Sequence, residues 1–293
     1  MHAWILPFLA SVGLGLLLGL AFFVLHRRLR RQRLQLRQAN IAQLALLRGL
    51  IGAFQRHRGL SNGVLCGDRS LSHDLAGTRQ ELDRLIRDVQ ALASNHADAW
   101  HGLIDHWSRL RDGHGGDAAN NLLQHHLIIR NSIFLMEDVA SEIDLGAGRA
   151  ELGYLPCIWR EVVQAAEWAG QARALGTGVA AAGHSSAEQR VRMRFLAQKI
   201  ELLSGAAFAT LRRHLAHYPQ DDTWRLGQCE RMVEDFLRCL EQDLLGREQP
   251  VIAAKQYFQH ATQAIDALLG LVDTALGQLQ GGVQSSSSSR IST

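Results

Sequence analysis

Residues 44–65 read LALLRGLIGAFQRHRGLSNGVL, and this stretch decides the fold. Leu44, Leu47, Ile51, Phe54, Arg58, Ser61 and Leu65 recur at alternating steps of three and four, the spacing of one buried stripe along a helix. Arg58 stands in that stripe where a leucine is expected. The pattern returns far downstream, where Leu155, Trp159, Val162, Ala166, Ala169, Arg173, Gly176 and Ala180 keep the same alternation with Arg173 inside it. A buried guanidinium without a counter-charge loses its hydration and regains nothing. Two such cations on separate helices call for a negative group, and a small bound anion would supply it.

From this core the helical pattern extends in both directions. It predicts helices over Ala39 to Leu65, Leu71 to Ser94, Ala97 to Arg111, Ala118 to Ile143, Leu155 to Ala182, Ala187 to Tyr218, Thr223 to Leu245 and Val251 to Leu279. Prolines occur only at 7, 156, 219 and 250, and the last three fall where a pattern begins or breaks. Asp112 to Asp117, Gly146 to Gly148 with Gly153, and Tyr218 to Asp222 read as loops. Gly183-His-Ser185 ends one helix, and Ser185 with Glu188 forms a capping box that starts the next. No alternating run of β-branched residues stands out. Long amphipathic helices joined by short polar turns predict an all-α fold of antiparallel helical bundles.

Ala3 to Leu25 carries no charge, and at ~1.5 Å per residue it reaches across a ~30 Å hydrocarbon core. Residues 1–26 therefore read as a transmembrane signal anchor. A cleaved signal peptide is the competing reading, but no Lys or Arg precedes the apolar run and no small-residue cleavage pattern follows it. Residues 27–38 form a basic juxtamembrane segment containing Arg27, Arg28, Arg30, Arg31, Arg33 and Arg37, which the positive-inside rule places in the cytoplasm with Met1 outside. The expected location is a bacterial inner membrane, crossed once, with the main domain cytoplasmic. Without that basic run acidic residues outnumber basic ones, so the formal charge of +3 describes the anchor and not a nucleic-acid surface. No Gly or Pro separates Leu25 from Arg48, so anchor and first bundle helix read as one helix. Residues 281–293, two glycines and a serine-rich end, read as a disordered tail.

The surroundings of the two stripe arginines match each other. Gln55 and Gly59 flank Arg58, and Gln171 and Gly176 flank Arg173, with glycine leaving room for a close approach. A planar oxyanion such as nitrate suits the planar fork of N–H donors that Arg presents, and Ser61, Gln55 or backbone N–H groups can fill its remaining lone pairs. Arg130, between Leu127 and Phe134, is a further candidate of lower weight. The competing reading is structural, with each arginine salt-bridged to a carboxylate on the next helix.

Gln55-Arg-His-Arg58-Gly59-Leu-Ser61 resembles the Q-x-E-R-G-x-S segment of the nitrate- and nitrite-sensing (NIT) domain of bacterial signalling proteins. Gly170-Gln-Ala-Arg173-Ala-Leu-Gly176 resembles that family's second arginine motif. Tyr257-Phe-Gln-His-Ala-Thr262-Gln-Ala-Ile265-Asp266 resembles its final helix. The motifs fall in order within residues 39–280. The resemblance implies two four-helix bundles that bind nitrate or nitrite between helices through Arg58 and Arg173, with Gly59, Gly176, Ser61, Gln55 and, at lower weight, Thr262 beside them. His57 departs from the motif's Glu and removes a carboxylate next to the site. The usual output domain is absent after Leu279, so the signal is expected to pass to a separate protein, a second copy of the chain or the anchor.

Enzyme chemistry has no support in the sequence: there is no Gly-rich phosphate loop, nucleophile elbow or H-E-x-x-H. Cys66, Cys157, Cys229 and Cys239 form no CxxC and read as apolar residues. His96, His101, His106, His114, His125, His126, His214 and His217 are numerous but lack zinc-site spacing, and neither metal nor cofactor is expected. The leading expectation is a membrane-anchored cytoplasmic sensor that binds the anion and repacks its helices. The alternative is an inner-membrane-tethered scaffold with salt-bridged arginines and no ligand.

Overall fold

The computed structural model describes residues 5–90, 95–111, 116–143, 152–217, 223–246 and 249–288, with side chains from residue 13 to 281 except 223 and 224. The described elements are helices. In chain order they are α1 (Ile5–Leu65), α2 (Ser72–Gln90), α3 (Ala97–Arg111), α4 (Ala118–Glu142), the single turn α5 (Leu155–Cys157), α6 (Val163–Ala182), α7 (Ala187–His217), α8 (Thr223–Cys239) and α9 (Ala254–Ser288). A widened π-type stretch, Ile158–Val162, fuses α5 to α6, and a second, Leu240–Leu245, prolongs α8.

Local chemistry sets the boundaries. Asp117 caps α4 by accepting from the Asn120 backbone N–H at 2.8 Å. Gly183 ends α6 at φ +72°, the left-handed conformation that glycine adopts without strain. The capping box of α7 sits one residue later than expected. The Gln189 backbone N–H donates to Ser186 Oγ (3.1 Å), while the Ser186 N–H donates to Gln189 Oε1 (2.8 Å). Ser186 and Gln189 thus take the place assigned to Ser185 and Glu188.

Helix α1 is unbroken across the expected junction between anchor and bundle. Leu14, Leu16, Leu17, Leu18, Leu20, Phe22 and Phe23 on its N-terminal part are exposed. The transmembrane segment expected over residues 1–26 falls partly outside the residues with described side chains. Among the described residues no helix is long and apolar enough to cross a membrane. The Gly146 to Gly148 loop and the Tyr218 to Asp222 turn lie outside the described residues, as does most of the Asp112 to Asp117 loop. The backbone of α9 continues to Ser288, well past the point at which a disordered tail was expected.

From Asn40 to Gly63, α1 is surrounded. It packs against α2 and α4 on one side and against α6 and α9 on the other, while α3 closes on α4, and α7 and α8 close on α6 and α9. One apolar cluster runs through both groups. It includes Leu47, Ile51 and Phe54 of α1, Ile129 and Met136 of α4, Val162 and Ala169 of the α5–α6 unit, and Leu268 and Val272 of α9. From Leu47 to Gly63, α1, like α6, therefore buries almost every side. Their Gly and Ala content permits this by letting backbones approach closely. Cys157 and Cys229 lie in this core and Cys66 and Cys239 are half-buried, with burial raising all four thiols, Cys157, Cys229 and Cys239 to about 12.

Candidate functional site

Four consecutive residues of α1 face four different helices. Arg56 bonds to Glu81 of α2 (2.7 Å), His57 to His125 of α4 (2.8 Å) and Arg58 to Glu167 of α6 (2.6 Å), and Gly59 lies against Phe258 of α9. With about 100° between successive residues, one turn of helix addresses every neighbour. Arg58 and Arg173 are both completely buried, as the two stripes predict.

Arg58 is paired. Its Nη1 donates to Glu167 Oε1 (2.6 Å) and its Nη2 to Oε2 (3.1 Å), a two-pronged contact, and Glu167 is itself only 6 % exposed. Gln55 Nε2 donates to Glu167 Oε2 and Gln171 Nε2 to Oε1, each at 3.0 Å, so four N–H groups hold this carboxylate. Gln171 in turn accepts from Arg192 Nη2 of α7 at 2.8 Å. Gly170 makes the approach possible, since a Cβ there would lie 2.7 Å from Arg58 Nη2.

Among the described residues no carboxylate bonds to Arg173. Its Nη1 donates to Thr262 Oγ1 (2.8 Å), whose proton goes to the Phe258 carbonyl (2.7 Å), and its guanidinium lies over the Phe258 ring, 4.7 Å from the centroid. Its Nε and Nη2 are buried and meet no acceptor among the described residues. Burial first, and the Arg58 charge next, pull Arg173 from 12.5 down to about 9, with Asp266 opposing them. A small oxyanion is the group that these two donors and this excess positive charge call for.

The other expected site residues divide. Gly59 touches the site, for a Cβ there would lie 2.8 Å from the Phe258 ring and 3.5 Å from Arg173 Nε. A side chain at Gly176 would overlap the ring of Tyr257, which is fully buried and donates to the Ala172 carbonyl at 3.0 Å. Thr262 contacts Arg173 directly, and Gln55 reaches the site through Glu167. Ser61 turns elsewhere, exchanging hydrogen bonds with Asn121 of α4 at 3.0 and 3.3 Å. Arg130 is exposed on α4 and takes no part in the cluster.

Glu167 shares the cluster, so the salt-bridged arrangement of the competing reading holds for Arg58 and, among the described residues, not for Arg173. In the run Val162–Ala182 the only charged residues are Glu167 and Arg173, and that isolation was the available signal. His57 corrects a second expectation. A side chain at that position points at His125 and Trp107 and not at Arg58, so its identity removes no carboxylate from the arginines. The Asn121 carbonyl accepts from His125 Nδ1 (2.7 Å), which makes His125 Nε2 the acceptor for His57 Nδ1. Burial keeps this pair neutral, depressing His57 strongly and His125 to about 3. Among the described residues no three metal-ligating side chains converge.

Comparison with known proteins gives a consistent picture. The family model for nitrate and nitrite sensing matches residues 49–280. No curated protein matches the chain. Among solved structures, the fold is similar to one described as the structure of the NasR transcription antiterminator, with a TM-score of 0.60 and 19 % identity over 91 % of this chain and 74 % of that one.

Proposed function

Starting from the fact that the chain belongs to the nitrate- and nitrite-sensing family, we propose that Arg58 and Arg173 form its anion site and that binding there repacks α1 against α6 and α9. One observation carries the proposal: Arg173 is entirely buried with two donor nitrogens unmatched. A nitrate or nitrite ion accepts from both and supplies the missing negative charge. Entry to groups so enclosed requires the helices to part, so occupancy and helix packing are linked, and the anion shifts the population toward the packing that holds it best.

The reading extends to the rest of the chain. It is a signalling protein without catalytic chemistry, metal or cofactor. Its uncharged segment from Ala3 to Leu25 tethers it to a bacterial inner membrane, with the basic residues 27–38 and the main domain on the cytoplasmic side. The exposed apolar side chains from Leu14 to Leu25, on a helix that projects beyond the bundles, support this placement. The signal passes to a second copy of the chain or to a separate output protein. A tethered scaffold without ligand draws support from the Arg58–Glu167 pair, but Arg173 lacks such a partner, and this favours the sensor.

Calorimetric titration of the full chain with nitrate and with nitrite tests the proposal. Saturable binding that is lost on Arg173→Ala and weakened on Arg58→Ala is the expected result. No heat of binding at millimolar anion, or binding that both substitutions leave unchanged, overturns it.

A further inference from the structure

The buried charges around the two arginines do not cancel. Arg58, Arg173 and Glu167 are each less than a tenth exposed. The carboxylate is spent on Arg58, in the two-pronged contact, and one positive charge remains, on Arg173. Other charges nearby are answered or wet: Arg56 is bound to Glu81 at 2.7 Å, and Asp266 is exposed. From this arrangement the geometry points to Glu167 as the residue that sets the valence of the ligand, making the cluster a receptor for singly charged oxyanions and a poor one for doubly charged oxyanions. The inference rests on the reading that the arginines hold the anion.

The physical reason is charge balance in a place that excludes water. A monoanion beside Arg173 brings the buried cluster to neutrality. A dianion leaves one negative charge without hydration or partner, which is the original difficulty with its sign reversed. The guanidinium fork does not choose by itself, since it pairs equally well with planar and tetrahedral oxyanions. Nor is Glu167 free to leave. Gln55 and Gln171 hold both of its oxygens, so it acts as a fixed counter-charge and not as a placeholder that the ligand displaces.

Calorimetry of the full chain with sodium nitrate and sodium sulfate, at constant ionic strength set with chloride, tests this on the wild type, Glu167→Gln and Glu167→Asp. The wild type is expected to bind nitrate at least tenfold more tightly than sulfate. Glu167→Gln gains sulfate binding at least tenfold and reverses the order, while Glu167→Asp keeps the wild-type order because it keeps the charge. An unchanged preference in Glu167→Gln, or a wild type that takes sulfate as well as nitrate, overturns the inference and leaves the sensor reading standing. A wild type that takes no nitrate, or whose nitrate binding survives Arg173→Ala, overturns the sensor reading itself. If Glu167→Gln does not fold, the double variant Arg58→Met/Glu167→Met decides: it retains one unpaired guanidinium, so nitrate preference supports the inference and sulfate preference overturns it.

Discussion

Gly170 of α6 is the gap through which Arg58 of α1 reaches its carboxylate. A Cβ at position 170 would lie 2.7 Å from Arg58 Nη2 and 3.3 Å from Gln55, both of which hold Glu167. Alanine would raise helix propensity by about 1 kcal/mol. The displaced hydrogen bonds of a buried charge outweigh that gain. Gly170→Ala is expected to lose about 1–2 kcal/mol net, read as a lower urea midpoint, and to weaken anion binding.

Arg173, buried without a bonded carboxylate among the described residues, is expected to lower the stability of the ligand-free protein. Arg173→Met keeps an unbranched apolar stem while removing an unanswered buried charge, so it is expected to stabilise the anion-free fold by about 1–3 kcal/mol. The same variant is expected to lack the rise in melting temperature that nitrate is expected to give the wild type. A melting curve with and without nitrate reads both effects, and their opposition marks a residue kept for binding.

The neutral His57–His125 pair makes the fold sensitive to acid. Both rings have folded-state values below their ordinary 6.5, so below pH 6.5 the unfolded chain takes up protons that the native state refuses. Stability therefore falls as pH drops from about 6.5, at about 1.4 kcal/mol per unit for each ring, and levels off only once the native rings titrate. Between pH 6.5 and 5 the expected loss is on the order of 3 kcal/mol. Urea denaturation at several pH values measures it, and His57→Leu/His125→Leu is expected to reduce the slope, leaving the part that His126, depressed by burial to about 3, and His106 contribute.

Gly176→Ala tests the α6–α9 contact. Its Cβ would overlap the ring of Tyr257, a fully buried residue with no room to withdraw. A loss of about 2–3 kcal/mol is expected from overpacking, measured by thermal unfolding.

The helices were legible because their apolar spacing and punctuation are local properties. Both arginine stripes proved buried except at their C-terminal ends, where Leu65 is exposed and Ala180 half-buried, and the Ala97–Arg111 helix was placed to the residue. What escaped depended on neighbours that the sequence does not name. Ser185–Glu188 and Ser186–Gln189 are overlapping frames of one capping pattern, and only the path of the chain leaving Gly183 selects the second. Glu167 stands in an Ala-rich helix with nothing beside it in sequence to mark it, and its meaning comes from Arg58, more than a hundred positions earlier. His57 was read through the residue it replaces, whereas the direction of its side chain decides what it touches.

The continuity of α1 gives the molecule a drive shaft. One uninterrupted rod joins Arg58 to the arginine-rich segment at residues 27–38, and at about 1.5 Å per residue the two ends lie some 30–45 Å apart. Gly49 and Gly52 lie where neighbouring helices pack against the rod, and no proline or glycine interrupts it between Leu25 and Arg48, so torque that reaches Arg48 meets no hinge beyond the bundle. A few degrees of roll at the anion cluster would arrive at the far end as the same few degrees. The message leaving the site can thus be an angle instead of a local unfolding.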